Sequence, residues 1–453
     1  MQGLARWLLR GAPIAALSAL AVSGSGLISG VAAAQSGPVS PTPAAGTPAL
    51  GKTGSTEQIR QLVSCGGTMF AVGTFTSISG SNGTFTRNNI FSFSATAPYA
   101  VTSWQPSVNG TVNSIQLTSD CSHAFIGGVF SQVDGSSAHN IAYIRTYNNT
   151  MVQDWAHSAN GQVDTILRTP NNHLLVGGKF TAINGSSKKY YVSLNLNTGQ
   201  DDGYLNLNIS GHYVYTGVGV NTTEVYNQQL SPDGGHVLAE GTFTQVGGSA
   251  RQQIFMLGLG ATAGTVTAWN SPEFSQFCAD KHPFYIKSAA WAADGTEVYI
   301  ADTGFAPFNW NKTFPLTGLC DAVAAFPATL GTVSHDWVNY TGCDSLYSVA
   351  ADSTTVYVGG HERWANNANG CNNQGTGGIP APGMGGFTVG ASGGTLVKNS
   401  SGTAGLSSRD RGLGADQIYR TSAGIWIASD NLAGSNMCGG VSGHAGICFL
   451  PYS

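Results

Sequence analysis

Charge is what this chain most conspicuously lacks. Its 453 residues hold 19 Lys and Arg against 23 Asp and Glu, 9% charged in all, where a typical domain has about 25%. The formal charge of -4, with no basic run, leaves no electrostatic footprint for nucleic acid. Helical periodicity is almost absent, which excludes a helical bundle. There is no His-Glu-x-x-His and no C-x-x-C pair. The common zinc-protease and thiolate-metal readings therefore have no motif behind them. His361-Glu362 has only the first half of a zinc motif and follows a strand rather than lying on a helix. His212, His282, His335 and His444 have no spacing that a copper-radical oxidase would need; they read as loop histidines.

One apolar stretch stands apart. Arg6 and Arg10 precede Ala12 to Ala34, which ends Val31-Ala32-Ala33-Ala34-Gln35, the small-residue pattern of a signal-peptidase site. Residues 1–34 are thus expected to be a signal peptide, with the mature protein secreted, extracellular and soluble. No Cys near that site could take a lipid, and no later stretch is long and apolar enough to span a membrane. Residues 35–54, rich in Pro, Ser, Thr, Gly and Ala, read as a linker. Residues 55–453 form the folded part, expected to be a monomer.

That part is built on a repeated phrase. It reads Val72-Gly73-Thr74-Phe75-Thr76, then Gly127-Gly128-Val129-Phe130-Ser131, Gly177-Gly178-Lys179-Phe180-Thr181 and Glu240-Gly241-Thr242-Phe243-Thr244. Units of this length cannot bury their own surface, so they must share a core. With 62 glycines, about twice the usual share of roughly 7%, tight turns between short strands are favoured. Units start near Ser55, Gly110, Gly161, Ser210, Pro283, Cys343 and Gly412. Each offers two strands around a turn, the second ending in the Gly pair. A third follows at Asn89 to Ala95, Asn140 to Thr146, Tyr190 to Leu196 and Gln253 to Leu259, then a fourth with an aromatic at Trp104, Trp155, Tyr204, Trp269 and Trp337. The expected fold is all-β, a seven-bladed β-propeller of four-stranded antiparallel blades. The last unit runs out before a fourth strand. Thr47 to Thr53 is the segment at hand to pair beside Ile447 to Leu450; otherwise that unit stays three-stranded.

The phrases Val176-Gly177-Gly178-x-Phe180-Thr181-x-Ile183-Asn184-Gly185 and Val356-Tyr357-Val358-Gly359-Gly360-His361-Glu362-Arg363-Trp364 resemble those of secreted actinobacterial β-propeller proteins of the delta-60 repeat type. Asn339-Tyr340-Thr341-Gly342 and Arg409-x-Arg411-Gly412-x-Gly414 extend the resemblance, from about Ser55 to the C-terminus. It implies the propeller fold and says little about chemistry.

Eight cysteines in an exported chain read as disulfides. Cys65 and Cys121 fall in equivalent turns of neighbouring units. Cys278 and Cys320 occupy places in unit five that Cys343 and Cys371 occupy in unit six. That layout suggests Cys65 with Cys121, Cys278 with Cys320, Cys343 with Cys371, and Cys438 with Cys448.

Function is sought where the repeat breaks. Aligned on the Gly pair, units four, five and seven bring in Glu240, Asp302 and Asp430, and unit six follows its pair with His361, Glu362, Arg363 and Trp364. With Arg409, Asp410 and Arg411 these are expected to share one rim as a binding surface. Glycans or a cell-envelope protein are the expected partners of a binding or scaffold module. The alternative is a polysaccharide hydrolase or lyase using the carboxylate, His and Arg groups. No cofactor is called for, although the same oxygens could hold Ca2+. The bland alternative is that these groups form ion pairs locking units together.

Overall fold

The computed structural model describes residues 39–51, 56–215, 218–219, 221–278, 283–304, 315–398, 415–429, 438, 441 and 443–453. Among them the only helical turn is the 3-10 segment Pro272–Ser275, so the chain is all-β. No helix among the described residues is long and apolar enough to cross a membrane.

Of the nine antiparallel sheets with three or four strands among the described residues, seven follow one another as a series along the chain, accompanied by two smaller three-stranded sheets and by two-stranded hairpins. Their first strands are Gln58–Cys65, Thr111–Leu117, Val163–Arg168, Val225–Leu230, Phe284–Trp291, Leu346–Ala351 and Ala415–Thr421. Each first strand contacts the first strand of the next sheet, and that of the last sheet contacts that of the first. The second strands carry the Val, Ile, Leu and Phe runs that strands buried on both faces require; Leu174, Leu175, Val176, Leu238 and Ile300 are fully buried. Apolar clusters accordingly lie between sheets, with Phe125 and Ile141 of unit two packed among Val163, Ile166 and Val176 of unit three.

The third strands fall within a residue or two of expectation, at Ile90–Ser94, Ile141–Arg145, Tyr191–Asn195 and Ile254–Leu259. The fourth strands are shorter than expected. Among the described residues only Gly264–Val266 and Trp337–Tyr340 form full fourth strands; in other units the position is a single bridge, as at Phe93 with Val101, Ile144 with Met151 and Leu194 with Asp201. These are outer edges, where a short strand limits the backbone left open to pairing with another chain. The aromatic carries the contact instead. Trp104, Trp155, Trp269 and Trp337 donate their indole N–H to Arg145, Leu196, Pro327 and Gly390 carbonyls of the following unit at 2.9 to 3.2 Å, and the Tyr204 hydroxyl does the same to Gly260.

All four expected disulfides are present: Cys65–Cys121, Cys278–Cys320, Cys343–Cys371 and Cys438–Cys448. The last sheet does gain N-terminal backbone, chiefly from residues ahead of the expected Thr47 to Thr53. Of that expected segment, residues 52 and 53 lie outside the described residues, and Leu50 donates to the Ala445 carbonyl just before the last strand. Val39 bridges Tyr452, and Ser40 and Ala44 donate to the Pro451 and Phe449 carbonyls. Ala49–Leu50 instead pairs with Ile78 and Ser79 of unit one. Much of the segment read as a linker is therefore hydrogen-bonded, with Val39 and Leu50 buried. A backbone ladder needs no alternating side chains at an edge, so composition did not reveal it.

Candidate functional site

The Gly pair has a mechanical reason. In every one of the seven first strands, pairing with the second strand skips one residue: Arg60, Asn113, Asp164, Tyr226, Lys287, Tyr347 and Asp416. Each is the extra residue of a β-bulge, a device that re-aims a side chain. The bulge pushes a first-strand carbonyl toward the second glycine of the pair. A Cβ at Gly73, Gly128, Gly178, Gly241 or Gly360 would lie only 2.0 to 2.2 Å from the carbonyl oxygen of Gln58, Thr111, Gln162, Glu224 or Ser345. Residues flanking the bulge on the N-terminal side, such as Ile59, Val112, Val163 and Ile286, are fully buried, whereas every bulged residue keeps solvent exposure.

The residue after the bulge fastens neighbouring units. Gln61 accepts the Ile115 N–H at 2.6 Å, Ser114 that of Ile166 at 3.1 Å, Ser288 that of Val349 at 3.3 Å, and Gln417 that of Leu62 at 2.7 Å. The last bond joins unit seven to unit one.

Among the predicted residues, Glu240 and Asp302 are 0% exposed and Glu362 1%; none lies on an open rim. Glu240 stands opposite Asn227. Neither of its oxygens makes a hydrogen bond of ordinary geometry, its nearest donors being the Asn227 side chain and the Ala289 N–H. Burial holds its pKa well above the carboxylate range. Ala289 is the counterpart of Ile115 and Ile166, so Glu240 faces the N–H that Gln61 and Ser114 cap elsewhere. Asp302 sits one place off the expected alignment. It faces Ile286, as Gly73 faces Ile59 and Gly128 faces Val112, so it replaces the second glycine, not the first. The varying turn length between the first two strands conceals this in the sequence.

Asp302 accepts the Ala322 N–H at 3.2 Å. Burial, then the neighbouring Asp321 charge, pushes its pKa well up. Asp321 accepts the Gly304 N–H at 2.7 Å and is pushed up to about 7, chiefly by burial. Arg363 grips the buried Asp344 through Nε at 2.7 Å and Nη2 at 2.8 Å, and its guanidinium lies 4.2 Å from the Trp364 ring centroid. A bidentate pair of this kind fixes the side chain. His361 Nδ1 lies 3.2 Å from the Tyr347 hydroxyl, so of the predicted residues it is the one that reaches the bulged set. Arg409, Asp410, Arg411 and Asp430 lie outside the described residues.

The bulged residues form the arrangement that motif reading missed. In order around the units the charged ones alternate in sign: Arg60, Asp164, Lys287, Asp416. The Asp164 pKa is raised to about 6, chiefly by burial with Glu224 adding to the rise, against the Gln162 hydrogen bond, Lys179 and Arg60. Burial lowers the Lys287 pKa against the opposing pull of Glu224 and Asp416, and Lys179 lowers it further. These couplings join unit one with unit three and unit five with unit seven, reaching past the adjoining unit. Lys179 pairs with Glu224 at 3.2 Å, Gln58 donates to Asp416 at 2.9 Å, and Lys287 Nζ lies 5.5 Å from the Tyr226 ring centroid. Asn113 donates to the Val163 carbonyl at 3.1 Å and to Asp164 at 3.2 Å. A signal was available. Ile59-Arg60-Gln61-Leu62, Val112-Asn113-Ser114-Ile115, Val163-Asp164-Thr165-Ile166 and Ile286-Lys287-Ser288-Ala289 each put two adjacent residues where strand alternation allows one.

Among the described residues no three His, Cys, Asp or Glu side chains are grouped to hold a metal ion. No family model matches this chain, and no curated protein matches it. Solved structures similar to it include U3-55K, at TM-score 0.46 and 10% identity over 90% of this chain and 100% of that one. The WD40 repeats of RRP9 align at 0.44 and 11% over 91% and 99%. The WD40 β-propeller domain of Doa1 aligns at 0.44 and 9% over 90% and 98%. Likeness at this level assigns neither ligand nor activity.

Proposed function

We propose that this chain is an exported seven-bladed β-propeller acting as an extracellular binding or scaffold module, with a glycan or cell-envelope component as its partner. Support for the architecture comes from the circuit of first-strand contacts and from the resemblance to delta-60 repeat proteins. Four disulfides fit an oxidising compartment. One observation favours binding over hydrolysis: Glu240, Asp302 and Glu362 are buried and Arg363 is held by Asp344. Glycoside hydrolysis needs two carboxyl groups about 5 to 10 Å apart flanking a substrate, and these three are enclosed by protein.

The test is a glycan array and isolated cell-envelope fractions probed with the mature chain, coupled to a turnover assay on every hit. Saturable binding without product supports a binding module. Product release that is lost on substituting Glu362 or Asp302 overturns it in favour of a hydrolase or lyase.

A further inference from the structure

The bulged residues occupy the same point of all seven first strands, which contact one another in a closed circuit. We propose that the opening at the centre of the circuit, where Arg60, Asp164, Lys287 and Asp416 face inward with Tyr226 and Asn113, is a ligand site for the end of a neutral oligosaccharide chain. The inference rests on the binding-module reading above and gives it a location and a ligand class.

Three observations carry it. First, position: a bulge recurs at the same point in all seven first strands, and its residue keeps solvent exposure while its N-terminal neighbour is buried. A ladder defect repeated in every unit serves the side chain it turns out. Second, composition: a chain with 9% charged residues places four charges on these seven positions. Two are positive and two negative, so their sum is zero. Such a ring offers no net field to a polyanion or polycation. It offers guanidinium and ammonium donors, carboxylate acceptors and an amide, which suit hydroxyl groups that both donate and accept. Third, an open valence: Asp164 Oδ1 takes the Gln162 and Asn113 amides, whereas its Oδ2 is buried and has no hydrogen-bond partner. A buried carboxylate oxygen without a donor is costly, and a ligand hydroxyl would supply one. The raised pKa of Asp164 and lowered pKa of Lys287 agree with a sheltered location at the interior.

The experiment is calorimetric titration of the mature chain with short linear oligomers of glucan, mannan, xylan and chitin. Chitosan and polygalacturonate oligomers serve as charged probes. Binding of a neutral oligomer that weakens by about tenfold or more in Asp164→Asn and in Lys287→Met is expected, since a hydrogen bond to a charged group contributes about 1.5 to 3 kcal/mol. Arg60→Gln, at an exposed side chain, tests the same ring if either of those variants fails to fold. Leu330→Ser, at a residue 60% exposed on an outer turn, should leave affinity unchanged. If a neutral oligomer binds equally to wild type and all ring variants, the central site is wrong while the glycan reading stands. Binding of charged oligomers alone overturns the neutral class. If no oligomer binds, the site and the glycan reading fall together.

Discussion

Units one to four and units five to seven hold the same sheet arrangement by different chemistry. In the first group the second position of the Gly pair is Gly73, Gly128, Gly178 and Gly241, each pressed against a first-strand carbonyl. Asn89 and Asn140 then lock the turn, adopting φ of 68° and 63° while accepting the Phe75 and Phe130 N–H groups. In the second group unit six keeps that glycine as Gly360, but it is Asp302 in unit five and Ser429 in unit seven, and Asp321 takes the place of the turn asparagine at φ 54°. Three of the four disulfides lie there, with the buried carboxyls of Asp302, Asp321, Asp344 and Glu362. The first half relies more on local backbone geometry and the second more on covalent links and buried carboxyls, although Glu240 is buried in unit four and Cys65–Cys121 links units one and two. Departures from a repeat thus mark a change in how the structure is held, and need not mark a site.

The two halves meet where the N-terminal segment lies along the last sheet, and removing it should produce the largest effect. Starting the chain at Ser55 deletes Val39 and Leu50, 0% and 3% exposed, and the hydrogen bonds to Phe449 and Pro451. Burying two such side chains contributes about 4 kcal/mol. A clear fall in denaturation midpoint is expected. An unchanged midpoint would mean that the last sheet stands without its N-terminal edge.

Next in size is the covalent half of the comparison. Cys343 and Cys371 are 28 residues apart, and a loop of that length gives about 3 to 4 kcal/mol of chain-entropy stabilisation. Replacing both by Ser should lower stability by that order, and hydrogen exchange should quicken first in units five to seven. Exchange that quickens evenly through all units would erase the distinction between the halves.

Gly178→Ala probes the other half. Its Cβ would meet the Gln162 carbonyl at 2.2 Å, a backbone atom that moves only with its strand, so a loss on the order of 2 kcal/mol is expected from overpacking. Denaturant titration checks it. A neutral outcome would show that the bulge does not depend on glycine, as Asp302 already shows for unit five.

What the sequence disclosed was whatever has a periodic or compositional trace. Third strands and aromatic anchors recur at matching places in several units, and the cysteines at matching places in units one and two and in units five and six; each reappears in the structure. Two features left only a trace that the strand register is needed to read. The alignment of Asp302 failed because the turn between the first two strands varies in length, so counting from the Gly pair misplaces a residue by one. The bulged residues were hidden because a bulge breaks the alternation by which a strand is recognised. Arg60-Gln61 and Lys287-Ser288 look like irregularities until the register is known. The site residues singled out for scarcity of charge were a different matter. Glu240, Asp302 and Glu362 are unusual in composition, but their burial follows from tertiary packing that no local pattern encodes.

The last test of the comparison is made at a single atom. Asp321 occupies the position of Asn89 and Asn140, and its Oδ1 accepts the Gly304 N–H at 2.7 Å as theirs accept Phe75 and Phe130. An asparagine there keeps that acceptor and removes a charge. The Asp321 pKa is raised from 3.8 to about 7, by burial first, so the folded state holds this proton more tightly than the unfolded chain does. Its stabilising protonation is complete below the unfolded value and is lost as pH rises through about 7. The wild type should therefore lose stability between about pH 4 and pH 7 relative to Asp321→Asn. At pH 4 the two should match, and at pH 8 the variant should be more stable by at least about 1 kcal/mol. Thermal melts across that pH range decide it. A variant less stable than wild type at pH 8 would show that the ionised carboxylate is required in unit five, so that the second half depends on charge where the first half uses an amide.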